Sequence, residues 1–288
     1  MTALVLSGGG LWALAGIGVA EALTDHGVTV DAYVGSSAGA LVGALLALGH
    51  APGELRRLAK TLTARDLKKP WRTWIRSLVE GRLPPALVSD ERLFQRLYPY
   101  LAGKEWSSLQ RPLWVVATSI TNRHPQVFGV GSPVRLELGR RLDLGWRGQE
   151  LDLKTALRAS NAVPGLFAPV PLGAEWLVDG GVTDDYPLDV AAWMGAEQVI
   201  GVWVDEPHPL VMRPRWNAFH VLEASMTAMI RELSVVRQRQ LSLPVTTVRL
   251  EMKGGHRVWE RVTAIIDLGY QLASENIDAL AELPNAHV

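Results

Sequence analysis

The chain has 288 residues, enough for one large α/β domain with a buried core, and its 48% hydrophobic and 20% charged content is that of an ordinary globular protein. A formal net charge of zero argues against a nucleic-acid protein that relies on a broad basic face. The absence of cysteine excludes disulfides, thiolate metal sites and cysteine nucleophiles.

In chain order, Ala3 to Leu6 reads as a short strand, Gly8-Gly9-Gly10 as a turn, and Leu11 to Leu23 as an Ala/Leu-rich helix. The first twenty residues lack a basic n-region, and the glycine triplet interrupts them, so they do not read as a signal peptide. Val28 to Val34 is expected to be a second strand, with a helix opening at Ser37. The apolar run from Ala38 to Leu48 is about half the length a bilayer span requires. The expectation is a soluble, cytoplasmic chain.

Pro70 to Ser89 breaks this rhythm with tryptophans, arginines and Pro84-Pro85, and reads as an insertion. Leu113 to Ser119 is the next strand, and Val127 to Leu138 is expected to hold two more as a hairpin. Leu153 to Ala159 predicts a short helix ending near Pro164, and Trp176 to Val178 a strand running into Asp179-Gly180-Gly181. Then follow a helix (Leu188 to Met194), a buried strand (Gln198 to Val204), a long helix (Trp216 to Gln240), a strand (Val245 to Leu250) and a closing helix (Val258 to Leu280). Strands alternating with helices predict a mostly parallel sheet with crossover helices. Nothing divides the chain, so residues 1–288 read as one domain with a cap or insertion at about 54–90.

Ser37 is the centre of Gly35-Ser36-Ser37-Ala38-Gly39, at the junction of an apolar strand and an apolar helix. That is the context in which a sharp turn presents a serine as a nucleophile. A serine hydroxyl needs a base to take its proton. Seven histidines are present, none beside a second motif; His256 is the best-placed late base. Chain order differs from the ordinary α/β-hydrolase, in which several strands precede the serine and Asp/Glu and then His follow it.

The best partner for Ser37 is Asp179, which ends a strand and precedes two glycines, so its carboxylate belongs at the edge where sites form in parallel sheets. The same D-G-G string also suits a plain turn in which the aspartate caps the backbone. Gly8-Gly9-Gly10 leads into a helix, so its amides suit an anion, either a nucleotide phosphate or an acyl oxyanion. A dinucleotide fingerprint wants an acidic residue about 20 positions on, and Gly35 and Ser36 stand there instead.

Four blocks in order, Ser7 to Val19, Gly35 to Gly39, Ala159 to Val170 (A-S-N-A-V-P-G-L-F-A-P-V) and Asp179 to Pro187 (D-G-G-V-T-D-D-Y-P), resemble the patatin-like phospholipases. The resemblance implies a three-layer α/β/α fold with a mostly parallel sheet and hydrolysis of lipid acyl esters without a cofactor. It further implies Ser37 as nucleophile, Asp179 as general base in a dyad without histidine, and Gly8, Gly9 and Gly10 as oxyanion donors.

The chain departs from the family pattern at two places. Trp12 and Ala13 stand where bacterial members usually have a basic residue and glycine, which bears on preference for phospholipid. Asp185 stands where asparagine is common, and Asp184 and Asp185 are expected to raise the pKa of Asp179 if they lie close to it.

Between Glu54 and Arg82 lie nine basic residues against three acidic ones. Trp71, Trp74, Ile75, Leu78 and Val79 recur there at helical spacing, which suits either a helix packed on the core or a cap that meets a lipid surface with its tryptophans and arginines. The stripe from Trp216 to Leu233, with Phe219, Met226, Met229 and Ile230, reads as a core helix or an acyl-chain groove. No metal-ligand spacing is present, and neither a cofactor nor a nucleic-acid partner is expected. The remaining rivals are a histidine-assisted esterase, a catalytically quiet lipid- or acyl-binding protein and, remotely, a nucleotide binder.

Overall fold

The computed structural model describes residues 1–63, 66, 88–89, 91–101, 103–205, 218–241, 243–251 and 258–281. The tryptophan-bearing part of the expected insertion, with Trp71 and Trp74, lies outside the described residues, as does His256.

The sheet contains β1 (Thr2–Leu6), β2 (Ala32–Ser36), β3 (Leu113–Ser119), β4 (His124–Gly129), β5 (Gly145–Gly148), β6 (Val170–Leu172), β7 (Glu175–Asp179), β8 (Gln198–Asp205) and β9 (Val245–Glu251). Its order is β5-β4-β3-β2-β1-β8-β9, with β7 on β3 and β6 on β7. The β1–β2, β1–β8, β2–β3, β4–β5 and β8–β9 pairs are parallel; β3–β4, β3–β7 and β6–β7 are antiparallel. The fold is thus a mostly parallel sheet flanked by helices.

Helices cover both faces, as the continuous apolar runs of the central strands require. Alternate residues of one strand feed two separate cores. Leu4, Leu6 and Tyr33 pack on one face with α1 (Ala15–Asp25), α2 (Ser37–Ala47), α3 (Pro52–Thr61), α4 (Glu91–Leu101) and the later α10 (Val262–Glu275). Ala3, Val5, Ala32 and Val34 pack on the other, against α8 (Leu188–Trp193) and residues of the long α9 (Ala218–Gln238). Each large aliphatic side chain fully buried in these layers contributes about 1.5–3 kcal/mol, so the two faces together hold the strand ends rigid.

Two expectations are corrected. Val127 to Leu138 does not hold a hairpin: β4 begins earlier, at His124, and makes the hairpin with β3, while Leu136–Leu142 is a helix, α5. The second strand starts at Ala32 rather than Val28, because the Val28 N–H donates to Leu23 O at 2.8 Å and closes the end of α1. The remaining described elements are α6 (Leu153–Ser160), α7 (Gly181–Asp184), α11 (Ile277–Ala281) and three short 3-10 turns, one of them Gly10–Leu14. Among the described residues no helix is long and apolar enough to cross a membrane.

Candidate active site

Ser37 is the first residue of α2 and has φ 52°, a left-handed conformation that a non-glycine residue adopts at a cost of about 1–2 kcal/mol. The strain comes from the sharpness of the turn between β2 and α2. The flanking glycines are there for space. A Cβ at Gly35 would lie 2.5 Å from the Ala40 Cα, and one at Gly39 would lie 2.4 Å from both the Leu6 and Ser7 carbonyl oxygens. No side chain fits at either position.

Residues from the third sequence block brace the turn. Ser37 N–H donates to Ser160 Oγ at 2.9 Å, while Asn161 Nδ2 donates to Ser37 O and to Leu157 O, both at 2.9 Å. Sequence reasoning used this block only as a family signature and gave neither residue a role. The available signal was a pair of polar residues, Ser160-Asn161, inside an otherwise apolar stretch.

The structure brings Ser37 and Asp179 together. Ser37 Oγ donates to Asp179 Oδ2 at 2.6 Å, and Asp179 Oδ1 accepts from Gly181 N–H at 2.8 Å. Asp179 is therefore both a turn cap and the partner of the serine, with one oxygen for each. Burial pushes its carboxyl up to about 6, against the lowering effect of the Ser37 and Gly181 hydrogen bonds. At neutral pH it is mostly ionised, as an acceptor of a serine proton must be.

Asp184 and Asp185 are not the cause of that rise. Asp184 is buried beside Asp189 and Arg237, and its own carboxyl is driven well above the usual range by burial and by Asp189. Arg237 Nη1 donates to Asp189 Oδ2, anchoring α9 to α8 on the far face.

The glycine triplet follows β1 directly. Gly8 N–H is committed to Asp185 O at 3.1 Å, which removes it from the expected set of three oxyanion donors. Gly9 and Gly10 have φ 116° and 58°, and their N–H groups have no acceptor among the described residues. Trp12, where a basic residue was expected, is buried in the same core as Leu4 and Leu6 and adds no charge.

Ser37, Gly10 and Asn161 share the wall of a cavity of about 210 Å³ whose other walls are apolar. Leu41 and Leu45 of α2, Leu55 and Leu58 of α3, Leu97 of α4 and Phe167 line it. The start of the expected 54–90 insertion is thus part of this wall. The α9 stripe has neither expected role throughout: Met229 is exposed, and Ile230 faces a different cavity. Among the described histidines, His26 bonds to Ala22 O, His50 to Glu54 and His124 to Gln126.

Comparison with known proteins fits this arrangement. A family profile described as patatin-like phospholipase matches residues 4–192, which holds the triplet, the elbow and Asp179. The chain belongs to the patatin-like phospholipase family. An uncharacterized NTE family protein of Mycobacterium tuberculosis is 30% identical over 200 residues, 69% of this chain and 48% of that relative. A protein named lysophospholipase NTE1 from Debaryomyces hansenii is 26% identical over 234 residues, 75% of this chain and 13% of its own. The chain thus spans about half the length of the mycobacterial relative and a small part of the yeast one. The crystal structure of VipD from Legionella pneumophila has the same fold, with TM-score 0.54 at 16% identity, covering 96% of this chain and 67% of that one.

Proposed function

We propose that this patatin-like chain is a serine acyl hydrolase that cleaves carboxylic esters of lipids through a Ser37–Asp179 dyad. The observation that carries the reading is the 2.6 Å hydrogen bond from Ser37 Oγ to a buried carboxylate at the wall of an apolar cavity.

In the proposed mechanism the acyl chain enters the cavity and its ester carbonyl stops at Ser37. Asp179 Oδ2 takes the hydroxyl proton as Ser37 Oγ bonds to the carbonyl carbon. The oxyanion that forms is held by the N–H groups of Gly9 and Gly10, and the N-terminus of α2 adds the positive end of its dipole. Gly8 holds the loop in place through its bond to Asp185 O. Collapse expels the alcohol, which leaves with the proton from Asp179. Water then attacks the acyl-enzyme and gives its proton to Asp179; as the acid leaves, Asp179 passes that proton to Ser37 Oγ, which restores both groups.

Why can one carboxylate do this without a histidine? An aspartate at its ordinary pKa of about 3.9 is a weak base, and burial that raises it to about 6 brings it roughly two powers of ten closer to the serine. Contact at 2.6 Å removes the entropy of bringing base and nucleophile together. Labelling with a fluorophosphonate tests the assignment: the adduct is expected on Ser37, and an unmodified Ser37 under conditions that label a control serine esterase would refute it.

A further inference from the structure

The apolar cavity beside Ser37 has a direction. Its α2 wall is Ser37, Ala38, Leu41, Val42 and Leu45, positions that share one face of the helix over two turns, so the cavity follows the helix axis away from the nucleophile. Burial deepens along the same line. Ala38 and Leu41 are partly exposed, whereas Val42 and Leu45 are buried. The facing walls repeat the gradient: Leu14 is partly exposed and Ile17, next along the lining, is buried; Leu62, just past α3, is partly exposed and Leu55 is buried.

The chain path explains why Leu55 stands at the deep end. α2 ends at Ala47 and α3 begins at Pro52, a short connection that turns the chain back. Arg56 Nε then donates to Glu21 Oε2 at 3.0 Å, which fixes the first turns of α3 beside the last turns of α1, far from the glycine triplet. Among the described residues the cavity is therefore open beside Ser37 and closed where Leu45 meets Leu55.

Its depth follows from helix geometry. Leu45 lies two turns beyond Ser37, about 12 Å along the axis at a rise of about 1.5 Å per residue. An extended alkyl chain, with C–C bonds of about 1.5 Å at tetrahedral angles, advances about 1.25 Å per carbon, so about nine or ten carbons reach the closed end. The volume agrees. An apolar protein cavity of about 150 Å³ takes up a benzene ring, so about 210 Å³ has room for roughly eight carbons.

We propose that this cavity is a blind acyl pocket that takes chains of up to about ten carbons, and that Leu45 and Leu55 form the floor that sets the limit. The inference rests on the acyl-hydrolase reading above and names its substrate class as medium-chain esters. Both leucines belong to the close-packed core on that face of the sheet, so a longer chain must displace core side chains or leave its end outside.

The test is competition between saturated p-nitrophenyl esters, octanoyl to hexadecanoyl, in the same detergent micelles, with the full chain as enzyme and the released acids separated and quantified. The wild type is expected to use octanoyl and decanoyl esters about equally and to discriminate against hexadecanoyl by at least about tenfold, the scale of overfilling a packed core. Leu55→Ala takes three carbons from the floor and should move the limit up by about two to three carbons, while Leu45→Phe adds three and should move it down by about as much. Whichever variant keeps a cooperative melt decides the role of the floor, and Leu55→Val, one carbon smaller, does so if neither of the larger changes keeps it. A wild type that uses hexadecanoyl as well as decanoyl, or a limit that stays put in a folded variant, would overturn the inference while fluorophosphonate labelling of Ser37 keeps the dyad. A wild type with no turnover and no labelling brings down both.

Discussion

Ser36 and Asp179 end two strands that run toward each other along the same side of β3, pairing with its adjacent residues Val116 and Ala117. β2 is parallel to β3 and β7 antiparallel, so their carboxyl ends meet head to head. That meeting places Ser37 beside a carboxylate 142 positions away in sequence. The Ser37–Asp179 contact is a product of sheet register, and its geometry is as rigid as the core beneath it.

The first prediction concerns pH. Because Asp179 must be ionised to accept a proton, kcat/KM should rise with pH through an apparent pKa near 6 and stay level up to about 8. A pH profile with a water-soluble ester checks this. A limb controlled by a group near 7 that disappears on substitution of a histidine would instead place the base elsewhere.

Stability should respond in the opposite sense. Asp179 has a folded-state pKa raised from 3.8 to about 6, so its contribution favours the folded state below pH 4 and is lost as pH rises through 6. The penalty at pH 8 is of order 3 kcal/mol. Asp179→Asn is therefore expected to melt at a higher temperature than the wild type at pH 8 and to lose that advantage near pH 4. Thermal unfolding at the two pH values measures it, and equal melting curves at pH 8 would contradict the buried-charge account.

How much of this was legible from sequence depends on what each element shows to solvent. β3, β8 and β9 are apolar runs bounded by breakers and were placed within a residue of their observed ends. β4 was hidden because it opens on His124-Pro125, and β5 because two glycines bound its four residues. Ser37 and Asp179 were legible because the one follows and the other closes a strand beside glycines. The braces Ser160 and Asn161 were not, since their partners are backbone atoms more than 120 residues away. Asp185 was read as a pKa neighbour of Asp179, whereas its carboxylate packs on Gly8 and Gly181.

The elbow braces make a separate prediction. Ser160→Ala and Asn161→Ala each remove a hydrogen bond that holds a strained residue, at a cost of about 1–2 kcal/mol in stability. The larger effect is expected in kcat, which should fall about ten- to a hundredfold with KM little changed, because Ser37 Oγ is no longer held at its angle. Steady-state kinetics separates the two constants. A change confined to KM would mean that these residues touch substrate.

In the proposed mechanism the apolar cavity sets the acyl preference. Leu41→Phe adds bulk to its wall near Ser37, so the ratio of kcat/KM for a dodecanoyl ester to that for a butanoyl ester should drop at least about tenfold. At about 0.8 kcal/mol per buried methylene, losing two methylenes of contact suffices. A ratio that stays put would show that the acyl chain lies outside this cavity.

The most direct test of the dyad is hydrolysis of a p-nitrophenyl ester by Ser37→Ala and Asp179→Asn, with a cooperative thermal melt as the control for folding. Both variants are expected to retain the melt and to lose activity by at least about a thousandfold, the scale for removing a nucleophile or its base. Activity within a few-fold of wild type in either folded variant would contradict the account.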